Sequence, residues 1–124
     1  MTNITKSNED YLETILLFEN NNAAKSIDVA NALGVSKAAV SIAMNDLIKK
    51  DLITKESYGD IILTPLGRGI ATSILSKHKL IKKILIGIGV SEENAENECC
   101  KIEHILSDET INCLKEVCQR NDFC

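Results

Sequence analysis

Cys100, Glu103 and His104 bring a thiol, a carboxylate and an imidazole within five residues of one another. On a helix, positions i, i+3 and i+4 share one face, so three donors of different softness could bind a single cation. Thiolate, imidazole and carboxylate are the protein ligands that late first-row divalent metals accept. The same spacing also describes the solvated side of an ordinary amphipathic helix, so a metal site requires further ligands from elsewhere in the chain. Asp10 and Glu13, three apart, could offer two oxygens to one cation, although acidic residues in a first helical turn also favour the helix dipole. His78 interrupts an apolar stripe, where an imidazole is either a satisfied core side chain or a ligand met by partners from other elements.

The elements that must position these residues follow from hydrophobic spacing. Ser7 is a cap for a first helix running to about Asn22, with Tyr11, Leu12, Ile15, Leu16 and Phe18 on its apolar side. Residues 26–33 form a short helix, Gly34-Val35-Ser36 a turn, and a second helix runs from Lys37 to about Lys50. Ala30 permits close helix approach, Gly34 supplies positive φ, and Val35 is expected to fill the core between the helices. Val40, Met44, Leu47 and Ile48 form the inward stripe of the second helix.

The outer face of that helix carries Lys37, Ala38, Ser41, Ile42 and Asn45, with Ser36 and Ala39 at its start. It is small, uncharged or basic. In a major groove, Ser41 and Asn45 can bond base edges, Lys37 a phosphate or guanine, and Ala38 or Ile42 thymine methyls. A helix-turn-helix also serves as a plain αα corner. Residues 52–56 and 61–64, flanking Ser57-Tyr58-Gly59-Asp60, read as a β-hairpin, and a hairpin directly after such a helix is a wing. Thr64-Pro65 caps a long helix to about Gly87, striped by Leu66, Ile70, Ile74, His78, Ile81 and Leu85. Ser91 and Ser107 begin two more helices; the last has Ile111, Leu114 and Val117 inward.

Composition narrows the possibilities. The 124 residues are 44% hydrophobic and 26% charged, enough for one small domain or two lobes. No apolar signal core occupies residues 1–13, and the most apolar later stretch, 80–90, is too short to span a membrane, so a cytoplasmic location is expected. Five cysteines, all in the last quarter and without a Cys-x-x-Cys pair, point to reduced thiols rather than a zinc ribbon. Net charge is −4, yet residues 36–83 hold nine Lys/Arg against four Asp/Glu, so a local phosphate-attracting surface is compatible with an acidic chain. At 3% aromatic content, a base-stacking surface for single strands is disfavoured.

In this order, the chain resembles the diphtheria-toxin-repressor and manganese-repressor family of metal-dependent transcriptional regulators. The resemblance is carried by residues 9–15, the helix-turn-helix, Leu63-Thr64-Pro65-Leu66-Gly67, Lys77-His78, Ile88-Gly89-Val90 and residues 103–107. It implies a mainly α fold with a small β-hairpin wing: a winged helix-turn-helix DNA-binding lobe over residues 1–64, then an α-helical dimerisation and metal-binding lobe over residues 65–124. It further implies metal ligands at Asp10, Glu13, His78, Cys100, Glu103 and His104, one or two divalent ions per subunit, a homodimer, and a palindromic double-stranded operator.

Iron-responsive relatives usually carry methionine at the position of Asp10 and cysteine at that of Cys100; manganese-responsive ones carry acids at both. The mixture here tilts toward Fe²⁺ over Mn²⁺ through Cys100. An ancillary site of some relatives falls partly on His78 and Glu96, but Lys82 occupies another of its positions. Cys99 is expected to face away from Cys100's site. A metal-independent winged-helix regulator is the alternative, separable by metal affinity; an enzyme using Cys100 and His104 lacks any recognisable oxyanion site.

Overall fold

A computed structural model describes residues 4–56 and 59–122. Among the described residues, six helices and a three-stranded antiparallel sheet divide into two compact units, Met1–Thr72 and Ser73–Cys124. Among the described residues, no single helix is long and apolar enough to cross a membrane.

In the first unit, α1 (Lys6–Asn21) begins two residues earlier than a Ser7 cap would start it. Thr5 is the cap: its hydroxyl accepts from Asn8 N–H while the Asn8 amide oxygen accepts from Thr5 N–H, at 3.0 and 3.1 Å. Asn8 is itself buried and ties α1 to α3, donating to Asp46 (3.0 Å) and accepting from Lys50 (2.7 Å). The helices α2 (Ser26–Leu33) and α3 (Lys37–Lys49) are bent by 113° at the turn between them. Gly34 makes that turn at φ +66°, which an L side chain rarely adopts. Ser36 caps α3 by accepting from Ala39 N–H.

Two inward assignments fail here. Val35 is 37% and Ile48 43% exposed. Val35 closes the turn by its backbone, donating to the Ala30 carbonyl, and Ile48 lies in the last turn of α3 beyond the packed stripe Val40, Met44 and Leu47.

The strands β2 (Ile53–Lys55) and β3 (Asp60–Leu63) pair with Ile53 opposite Leu63, and β1 (Ala24–Lys25) adds to the other side of β3. At two residues, β1 has no readable alternation, and it is absent from the sequence reading. The tip residues Ser57 and Tyr58 lie outside the described residues. Leu12, Ile15, Val29, Leu47, Leu52, Ile53 and Ile61 form a core under 2% exposed. α4 (Pro65–Gly87) starts against it: a Cβ on Gly67 would stand 2.0 Å from the Leu52 carbonyl oxygen, so only glycine permits this approach. Thr64 caps α4, its hydroxyl accepting from Gly67 N–H. Leu66, assigned to the inward stripe, is 52% exposed on the outer side of the first turn.

The second unit holds the rest of α4 with α5 (Glu92–Ile102) and α6 (Asp108–Arg120). Ser91 and Ser107 cap the latter two as expected. Its core is Leu80, Ile81, Cys99, Ile111 and Cys118, with Leu114 only partly buried against it. Cys99, Cys100 and Cys113 take part in no disulfide, whereas Cys118 is disulfide-bonded, which corrects the expectation of uniformly reduced cysteines.

Candidate metal centre and outer face of α3

His78 projects from α4 into a group of donors supplied by α5 and the turn that follows it. Its Nδ1 lies 2.8 Å from a Glu103 carboxylate oxygen and its Nε2 3.2 Å from Glu96. Cys99 Sγ stands 3.6 Å from each imidazole nitrogen, and Cys100 Sγ 3.8 Å from Nδ1. His104 Nε2 is 3.5 Å from the second Glu103 oxygen, and that imidazole is 2% exposed.

Local backbone explains the convergence. α5 ends at Ile102; Glu103 is its C-cap at φ −58°, ψ −23°, still donating to the Cys99 carbonyl, and His104 lies in the turn beyond. The expectation that Cys100, Glu103 and His104 share one helix is therefore corrected. Because Glu103 keeps a helical dihedral, it still extends the stripe of Glu96, Cys99 and Cys100 by a turn.

Electrostatics distinguish the donors. Glu103 is 1% exposed, and a buried carboxylate costs heavily unless partnered, here by two imidazoles. Lys82 Nζ lies 3.0 Å from Glu96 and holds its carboxyl below the usual range, with His78 adding to the effect; in return the Lys82 ammonium is raised. Glu96 is thus already paired with an ammonium. Burial, followed by the neighbouring Cys100, pushes the Cys99 thiol up to about 12.

Imidazole, thiol and carboxylate groups meeting around a buried acid fit a divalent transition ion. His78, Cys100, Glu103 and His104 are thus brought together within the second unit. Asp10 and Glu13 lie on α1 in the first unit, where Asp10 pairs with Lys6 at 3.0 Å. Cys99 is the residue that sequence reasoning turned away from the site, although Glu96, Cys99, Cys100 and Glu103 stand at i, i+3, i+4 and i+7.

On α3, Ser36, Lys37, Ala38, Ser41, Ile42 and Asn45 are exposed and Ala39 is half-buried. Ile42 is 72% exposed, an unusual placing for isoleucine on a helix packed by its other side.

Residues 64–124 match the iron dependent repressor, metal binding and dimerisation domain, and residues 1–65 match a domain of unknown function. An uncharacterized HTH-type transcriptional regulator of Methanocaldococcus jannaschii is 41% identical over 115 residues, 90% of this chain and 92% of the relative. The HTH-type transcriptional regulator MntR of Geobacillus kaustophilus is 37% identical over 116 residues, 93% of this chain and 82% of the relative. Among solved structures, the manganese regulator SloR superposes with a TM-score of 0.80 at 28% identity, and T. acidophilum IdeR with 0.77 at 30%. The similarity covers 95% and 94% of this chain but 55% of each of theirs, so the chain spans about half the length of those structures.

Proposed function

The chain belongs to the diphtheria-toxin-repressor and manganese-repressor family of metal-dependent transcriptional regulators, and from that membership we propose that it is an iron- or manganese-activated repressor controlling metal homeostasis. The observation that carries the reading is the meeting of His78 from α4 with Cys100 from α5 and Glu103 from its C-cap, all in the second unit. We assign DNA binding to residues 1–64 and dimerisation with metal binding to residues 65–124.

In this reading α2 and α3 form the helix-turn-helix and the β2–β3 hairpin its wing. The exposed face of α3 enters the major groove: Ser41 and Asn45 bond base edges, Ala38 and Ile42 touch thymine methyls, and Lys37 reaches a phosphate or guanine. Ser36 and Ala39 present the helix N-terminus to the backbone phosphates. Ile86, Ile88 and Ile105, all exposed in the second unit, supply apolar surface for a second copy to cover. A two-fold dimer matches a palindromic operator, its two α3 helices reaching successive major grooves roughly 34 Å apart. Such a repressor works where the DNA is, in the cytoplasm.

Asp10, Glu13, His78, Cys100, Glu103 and His104 are the proposed ligands of one or two divalent ions. When bound, a divalent cation would offset the negative charge of these acidic and thiol donors. Ligation by donors from α1, α4 and the end of α5 would select the DNA-competent state. The Cys100 thiol supports Fe²⁺; the Asp10 carboxylate and the likeness to a manganese regulator support Mn²⁺. Cys100→Glu is expected to let Mn²⁺ overtake Fe²⁺ as activator.

The test selects double-stranded DNA from a random pool in the presence of either ion, then measures its affinity anaerobically with each ion and with chelator. Tight binding only with metal supports the proposal. Equal affinity with chelator points to a metal-independent regulator.

A further inference from the structure

We propose that Cys99 is a second thiolate ligand, so that Cys99, Cys100 and His78 form a two-sulfur, one-nitrogen set for a thiophilic late first-row ion. The inference rests on the metal-site reading above and sharpens its ion class. The ligating atoms of these three residues all lie within 4.8 Å of one another. For a tetrahedral ion with metal–sulfur bonds of about 2.3 Å and metal–nitrogen bonds of about 2.05 Å, sulfur and nitrogen stand about 3.5 Å apart. Cys99 Sγ is 3.6 Å from each His78 nitrogen, and Cys100 Sγ is 3.8 Å from Nδ1. These separations lie within a few tenths of an ångström of that value.

The imidazole also has a carboxylate at each edge, Glu103 beside Nδ1 and Glu96 beside Nε2. Whichever nitrogen binds the ion, the other keeps an acidic partner that fixes the ring, as ligating histidines require. The Cys99 thiol now donates to the Glu96 carbonyl at 3.3 Å. It gives up that bond on ligation, each thiol passing one proton to solvent as its sulfur–metal bond forms. Two sulfurs move the site away from Mn²⁺ and toward Fe²⁺, Co²⁺ or Zn²⁺.

Co²⁺ titration of the intact protein under anaerobic conditions reads this directly, because thiolate-to-cobalt charge-transfer absorbance scales with the number of bound sulfurs. Cys99→Val and Cys100→Ser are each expected to retain about half the wild-type band, one thiolate of two. A full band in Cys99→Val, together with its complete loss in Cys100→Ser, overturns the inference while leaving a one-sulfur metal site in place. Failure of wild-type protein to bind Co²⁺ at all overturns both this inference and the metal-site reading. Because Cys99 is a core residue, the wild-type protein loaded with ¹¹³Cd²⁺ provides a second readout that needs no variant. A resonance in the two-sulfur range supports the assignment, and one in the single-sulfur range refutes it.

Discussion

Replacing Glu103 by glutamine separates a structural role from a ligand role at the most buried acid of the site. The side chain is 1% exposed, with one oxygen 2.8 Å from His78 Nδ1 and the other 3.5 Å from His104 Nε2. Glutamine has nearly the same shape, and its amide oxygen can still accept from His78. What disappears is the charge. Charge-assisted hydrogen bonds contribute about 1.5–3 kcal/mol against about 0.5–1.5 for neutral ones, and removing a buried carboxylate relieves its desolvation cost, so metal-free stability should change by only about 1 kcal/mol. Metal affinity should respond differently. Losing even a group that merely orients a ligand costs 10–100-fold, so loss of a direct anionic ligand should cost at least about 100-fold, or about 2.7 kcal/mol. Urea unfolding in chelator and anaerobic titration with Mn²⁺ or Fe²⁺ measure the two quantities on one protein. Collapse of stability with metal affinity unchanged would refute the assignment of Glu103 as a ligand.

Other predictions concern the scaffold and the DNA face. Gly67→Ala places a methyl 2.0 Å from the Leu52 carbonyl oxygen and should destabilise by about 1–3 kcal/mol or more, seen as a lower urea midpoint; an unchanged midpoint contradicts the packing described. The Asp46 carboxyl is held below its ordinary 3.8 by the Asn8 hydrogen bond first and Lys50 second. That stabilisation is full above 3.8 and is lost as pH falls through the lower folded value; Asp46 is 44% exposed, so screening keeps it small. Asn8→Ala should therefore flatten the acid-side decline in urea midpoint, and an undiminished decline counts against the α1–α3 tie. Ile42→Asp should abolish operator binding without changing metal affinity. Lys37→Ala should weaken binding and lower the salt slope by about 1 if it contacts a phosphate, whereas loss of discrimination at one base pair would assign it to a guanine.

Much of the scaffold is legible in the sequence because its signals are local. Ser36, Ser91 and Ser107 mark helix starts, Thr64-Pro65 opens α4, and Gly34 supplies the positive φ between α2 and α3. What escapes depends on tertiary packing. Thr5 displaces Ser7 as cap because Asn8 completes a reciprocal pair with it, and the short β1 becomes a strand only by pairing with β3. Val35, Ile48 and Leu66 have the spacing of core residues, yet they occupy a turn or a terminal helical turn and are 37%, 43% and 52% exposed. In the candidate site, the type and spacing of Cys100, Glu103 and His104 are shared with an ordinary amphipathic helix, and it is the family resemblance that makes them ligand candidates. Cys99 is not among them, because a cysteine on a buried face resembles any small apolar residue until His78 is seen beside it.

The central claim is that metal binding and DNA binding are one coupled equilibrium. It is tested most directly by measuring the affinity for Mn²⁺ or Fe²⁺ with and without saturating operator DNA. Linkage requires DNA to tighten metal binding by the same factor as metal tightens DNA binding, a factor expected at roughly 5- to 150-fold. Identical metal affinity in the presence and absence of DNA would contradict the account.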